Sequence, residues 1–87
     1  SVIIIRVPTL KERLEDIPLL VDHFIKQVCE EYHIPPKPIE KAALDELMKM
    51  EWTGNIRELR NVVERLIILS GDKIELDDVE TYAIGVA

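Results

Sequence analysis

Apolar side chains recur along the chain at two different spacings. From Val2 to Val7 they form a short, mostly β-branched run that Pro8 closes, a pattern typical of a strand buried on both faces of a parallel sheet. A lone strand leaves its backbone hydrogen bonds unpaired. The run is therefore expected to be either a strand of a sheet whose other strands lie outside this chain, or an extended arm packed on the helices.

From residue 16 onward the apolar positions follow the spacing of amphipathic helices. They predict four helices, at about residues 16–33, 40–50, 55–70 and 77–84, after a charged connector at residues 9–15. In the first helix, the residues that follow helical spacing are Ile17, Leu20, Val21, Phe24, Val28 and Tyr32. The predicted fold class is all-α: a small four-helix domain preceded by one strand-like segment at residues 1–8.

Local signals mark the ends of these helices. Asp16 is placed to cap the first helix, and Pro35-Pro36 is expected to stop it. Gly71 is expected to terminate the third helix. Asp77 and Asp78 put negative charge at the start of the fourth, where it complements the helix dipole.

The start of the third helix carries the most informative polar residues. Asn55 and Glu58 have the spacing of a capping box. Arg57 lies between them, in a first turn where the helix dipole disfavours a cation by about 0.3–1 kcal/mol. Either a bound anion such as a phosphate reverses that penalty, or Arg57 pairs with a nearby acid such as Glu58 or Glu64. The local chemistry leaves both interpretations open.

Composition narrows the classes of partner. The net charge is −6, with 17 acidic against 11 basic side chains, which disfavours binding to a polyphosphate backbone.

A single cysteine, Cys29, excludes an internal disulfide and is expected to be buried. The sequence lacks an apolar stretch long enough to span a bilayer, so a cytoplasmic location is expected. The chain begins without Met on an apolar run, which predicts that it is part of a longer protein.

Catalysis by this chain alone is not expected. His23, His33, Cys29 and the carboxylates have no spacing that joins a nucleophile to a base or gathers metal ligands. A G-x-x-x-x-G-K-[ST] loop, which would hold a triphosphate, is also missing from the sequence. We therefore predict no catalytic residue and no metal site in this chain.

Two segments carry a family resemblance. The run Trp52-Thr53-Gly54-Asn55-Ile56-Arg57-Glu58-Leu59 resembles the sensor II region of NtrC-type AAA+ activators of sigma-54 RNA polymerase, a group that includes response regulators of two-component systems. Upstream, Val7-Pro8-Thr9-Leu10-Lys11-Glu12-Arg13 and the residues to Leu20 look like that family's passage from the last core strand into the helical lid. The similarity covers essentially the whole chain, with residues 16–87 as the lid.

The resemblance implies roles for individual residues. Arg57 would be the sensor II arginine that approaches the γ-phosphate of ATP, while Ile17 and Ile56 would lie near the adenine unless they are ordinary core residues. Gly54, Asn55 and Glu58 would shape the helix start. Residues 1–8 would be the last strand of the missing core.

For the whole protein, the resemblance implies a bacterial transcription activator that hydrolyses ATP with Mg²⁺ in a ring of subunits and remodels a promoter complex of sigma-54 RNA polymerase. The chain alone is expected to be inactive as an ATPase, to bind no ATP by itself, and to bind neither DNA nor membranes. Its partners would be its own AAA+ core and the neighbouring subunits, and the isolated chain is expected to self-associate. The alternatives are a helix-turn-helix-like DNA-binding module and a generic helical protein-interaction domain.

Overall fold

The computed structural model describes residues 17–50, 52 and 56–83, and these residues form a helical domain. Its elements are α1 (Ile17–Glu31), α2 (Lys41–Lys49), α3 (Ile56–Leu69) and α4 (Leu76–Asp78), the last continuing as a π-helical turn over Val79–Ala83. The predicted all-α fold class is confirmed. The strand, connector and Asp16 cap predicted for residues 1–16 lie outside the described residues.

The hydrophobic core lies mainly between α1 and α3, which pack against each other. Each of these helices turns one broad apolar stripe inward, and α2 and the π-helical turn close the remaining side. Burying an aliphatic side chain contributes about 1.5–3 kcal/mol, so this shared core stabilises helices that are too short to form alone. The buried side chains of α1 and α3 are Ile17, Val21, Phe24, Ile25, Val28, Cys29, Leu59, Val62, Val63, Leu66 and Ile67.

The end of α1 differs from the sequence-based prediction. The helix ends at Glu31, before Pro35-Pro36, because His33 adopts a left-handed backbone conformation with φ of 58°. The Ile34 amide then donates to the Cys29 carbonyl at 3.0 Å, and the His33 amide to the Glu30 carbonyl at 3.1 Å. This is the hydrogen-bond pattern of a Schellman motif.

Tyr32 continues the helical spacing of the apolar residues of α1, but its side chain lies at the surface. Its side chain is 45% exposed, because the chain has already left the helix at this position. The Tyr32 hydroxyl instead donates to Glu64 Oε1 of α3 at 2.8 Å. The residue therefore joins two helices at the surface.

The end of α3 is also formed differently from the prediction. Gly71 does not adopt the positive φ that makes glycine a helix terminator, and a Cβ atom built on it meets nothing within 4 Å. Lys37, from the loop before α2, supplies the cap. Its Nζ donates to the Ile67 carbonyl at 2.7 Å, to the Ser70 carbonyl at 3.3 Å and to Ser70 Oγ at 3.2 Å.

The loops that precede α2 and α4 meet in a single parallel β-bridge between Ile39 and Ile74. The Glu40 amide donates to the Ile74 carbonyl at 2.9 Å, and the Ile74 amide donates to the Pro38 carbonyl at 2.8 Å. At the start of α4, the Asp78 carboxylate accepts the Glu75 amide at 2.8 Å. Within the described part of the chain, no helix is long and apolar enough to cross a membrane.

Candidate functional site at the start of α3

Arg57 is an exposed residue on the first turn of α3, an amphipathic helix that buries one face in the core. Arg57 is exposed, Ile56 and Glu58 are half-buried, and Leu59 is fully buried. The amide groups of a first turn have no partner within the helix and mark its positive end. A guanidinium at this position adds a second element of phosphate recognition.

Trp52 anchors the chain just before this helix. Its indole is 2% exposed, and Nε1 donates to the Leu47 carbonyl in the last turn of α2 at 2.9 Å. A buried tryptophan usually needs such a partner for its N–H. The contact therefore fixes the Trp52 side chain against the end of α2. Gly54 and Asn55, which the sequence predicted to shape that approach, lie outside the described residues.

Ile17 and Ile56 belong to the same hydrophobic cluster. Ile17, the first residue of α1, is completely buried within it, and Ile56 is partly buried and packs against it. The burial of Ile17 favours its role as a core residue, which was one of the two interpretations open from the sequence. Ile56 keeps an exposed fraction beside Arg57 on the first turn of α3.

The outer face of α3 holds a polar network centred on Arg60. Its guanidinium contacts Glu31 Oε2 at 2.7 Å and Glu64 Oε2 at 2.9 Å. The hydrogen bond to Glu31 is the main cause that raises the pKa of Arg60 above its ordinary value. The contact with Glu64 joins residues four apart on one helix, a spacing visible in the sequence, whereas the contact with Glu31 spans two helices and depends on how they pack.

The structure describes the surroundings of the candidate metal ligands and of the cysteine that the sequence offered. Among the described residues, no three His, Cys, Asp or Glu side chains are placed to hold a metal ion together. His23 is exposed, with its ring centroid 5.4 Å from that of Phe24, and Cys29 is completely buried.

Comparison with known proteins identifies the domain. A family model described as the AAA+ ATPase lid domain matches residues 11–85. The chain belongs to this family. The matched region contains all the helices described above, and Arg57 lies within it.

Individual relatives agree with this assignment. The lid is 50% identical over 80 residues to the DNA-binding transcriptional regulator NtrC of Azospirillum brasilense. It is 48% identical over 71 residues to the nitrogen assimilation regulatory protein NtrX of Azorhizobium caulinodans. The crystal structures of NtrX from Brucella abortus in complex with ADP and with ATP each superpose with a TM-score of 0.79 at 44% identity. The resemblance to NtrC-type proteins is confirmed.

The lid corresponds to a small part of each of these proteins. The match to the Azospirillum regulator covers 91% of this chain and 16% of that protein, and the match to the Azorhizobium regulator covers 82% and 16%. The matches to the NtrX structures cover 92% of this chain and 20% of each NtrX chain.

Proposed function

We propose that this chain is the lid of an ATP-dependent sigma-54 transcription activator, in which Arg57 contacts the γ-phosphate of ATP held by the AAA+ core. The observation that carries the proposal is an exposed arginine on the first turn of a 14-residue helix, within a match to the AAA+ lid family. The similar NtrX structures, which were solved with ADP and with ATP, support a nucleotide ligand for the parent protein.

The residues described here fit one contact of a nucleotide site. The exposed Arg57 guanidinium and the positive end of α3 suit a phosphate group, and the partly exposed Ile56 beside them suits an apolar ring. The phosphate-binding loop and the ligands of Mg²⁺ belong to the core in this proposal. The lid therefore senses a nucleotide that another domain holds.

A γ-phosphate contact would couple the nucleotide state to the position of the lid. A hydrogen bond to a charged group contributes about 1.5–3 kcal/mol, which shifts a two-state equilibrium by about tenfold or more. ATP would favour the closed arrangement through Arg57, and loss of the γ-phosphate would release it. In the intact activator, this change would drive remodelling of the promoter complex.

The test is the substitution Arg57→Ala in the full-length parent protein, with Arg65→Ala as the matched control. Both arginines are exposed on α3, but only Arg57 lies in its first turn. We expect Arg57→Ala to weaken binding of a non-hydrolysable ATP analogue by about tenfold or more, to leave ADP binding unchanged, and to reduce ATP hydrolysis and transcription activation. Arg65→Ala should match the wild type. Unchanged hydrolysis and activation in Arg57→Ala would refute the sensor role.

A DNA-binding role receives less support from the structure. Arg60 of α3 is already engaged by two carboxylates, and the net charge of −6 opposes a nucleic-acid backbone. A titration of the lid with duplex DNA at physiological salt is expected to show no binding. Measurable affinity that falls steeply with salt would favour the alternative.

A further inference from the structure

Arg60 makes the most extensive set of side-chain contacts between α1 and α3 among the described residues. Its Nη2 donates to Glu31 Oε2 at 2.7 Å, Nη1 to Glu64 Oε2 at 2.9 Å, and Nε to Gln27 Oε1 at 3.3 Å. The Tyr32 hydroxyl donates to the other oxygen of Glu64 at 2.8 Å. One planar guanidinium thus links the last two turns of α1 to the middle of α3.

These contacts differ from the other ion pairs that the structure describes on α1 and α2. Lys26 with Asp22, and Lys41 with Asp45, are pairs of side chains four residues apart on one exposed helix face. The Arg60 side chain is only 27% exposed, and two of its three acceptors are on a different helix. Its contacts therefore constrain the angle between two helices.

The angle of α3 determines where Arg57 lies. A 14-residue helix is about 21 Å long, so rocking it by 10° about its centre moves its first turn by roughly 2 Å. A displacement of that size removes a hydrogen bond, which requires donor and acceptor within about 3.2 Å. Ridges-into-grooves packing of apolar side chains allows crossing angles that scatter by about 15–20° around a preferred value, whereas a guanidinium with three acceptors adds a directional constraint.

We propose that Arg60 is a positioning residue that, through Glu31 and Gln27 of α1, holds α3 at the angle that directs Arg57 to the γ-phosphate. This inference rests on the proposed function of Arg57. Arg60 acts through Arg57 and not on the phosphate itself.

The experiment uses the full-length parent protein and measures kcat/KM for ATP together with the affinities for a non-hydrolysable ATP analogue and for ADP. Arg60→Ala is expected to lower kcat/KM and the analogue affinity about threefold to tenfold and to leave ADP affinity unchanged, because ADP lacks the γ-phosphate. Glu31→Gln should change the same quantities in the same direction, since it weakens the link to α1 and keeps the Arg60–Glu64 pair. Lys26→Ala is the matched control and should match the wild type.

A double-mutant comparison tests whether Arg60 acts through Arg57. In an Arg57→Ala background, adding Arg60→Ala should cause no further loss. Full additivity of the two losses, or an equal loss of ADP affinity in Arg60→Ala, would overturn the positioning role while leaving the sensor role of Arg57 intact. If Arg57→Ala itself changes nothing, the proposed function fails and this inference fails with it.

Discussion

Lys37 offers a direct test of how the lid is held together. Its ammonium group reaches across from the loop before α2 and donates to two main-chain carbonyls and one hydroxyl at the end of α3. The last carbonyls of a helix have no intrahelical donors and carry its negative pole. We therefore expect the substitution Lys37→Met, which keeps the aliphatic stem and removes the charge, to destabilise the domain.

The magnitude follows from the geometry. A cation at a partly buried helix C-terminus contributes up to about 2 kcal/mol, and Lys37 is half-buried with its shortest contact at 2.7 Å. The expected loss is about 1–2 kcal/mol in the free energy of unfolding. With a urea dependence of roughly 1 kcal/mol per M for a domain this small, the midpoint should fall by about 1–2 M.

The assay is urea unfolding followed by fluorescence. Trp52 is the single tryptophan of the chain and is buried, so its emission reports loss of the core. The control is Lys41→Met, because the Lys41 side chain is 90% exposed and its Nζ lies 3.6 Å from Asp45; exposed pairs contribute about 0–1 kcal/mol. A Lys37→Met midpoint equal to that of Lys41→Met would refute the capping role.

Three further substitutions test other features of the fold by the same assay. His33→Gly should stabilise the domain by about 1 kcal/mol, since glycine adopts the left-handed backbone conformation without steric cost; a loss of stability would contradict the Schellman assignment. Gly71→Ala should be neutral or stabilise by about 0.4–1 kcal/mol, because its backbone and surroundings accommodate a Cβ; a loss above 1 kcal/mol would indicate a positive φ. The hydrogen bond to Glu64 raises the pKa of Tyr32 above its usual value of about 10. The stability that this hydrogen bond contributes to the domain is therefore fully present below about pH 10 and is lost as the pH rises through the folded-state pKa of Tyr32. Tyr32→Phe should lack that alkaline loss, and identical pH profiles for the two proteins would contradict it.

The sequence by itself determined the class of fold and the identity of the candidate residue. Helical spacing of apolar side chains predicted four helices, and the described helices all overlap the predicted ranges. The stripe residues Leu59, Val63 and Leu66 are buried as periodicity requires. Arg57 was singled out because a cation in a first turn conflicts with the helix dipole, which left a bound anion and an acidic partner both open; the resemblance to sensor II regions then implied a phosphate.

The helix ends were less predictable, since the groups that terminate a helix come partly from elsewhere in the chain. Proline and glycine suggested the stops at Pro35-Pro36 and Gly71, but His33 and Lys37 provide them. Lys37 lies 30 residues before the Ile67 carbonyl that it caps. The helix-capping preferences of neighbouring residues do not reveal a donor at that separation in the sequence.

The tertiary structure alone decided which polar residues hold α3 in place. Glu31, the last residue of α1, is 29 residues from its partner Arg60, and Tyr32, just after α1, is 32 residues from its partner Glu64. They meet because the buried stripes of α1 and α3 pack together and bring their polar edges side by side. Periodicity along a sequence shows which face of a helix is buried, whereas the rotation and crossing of two packed helices determine which side chains meet at the edge of that face.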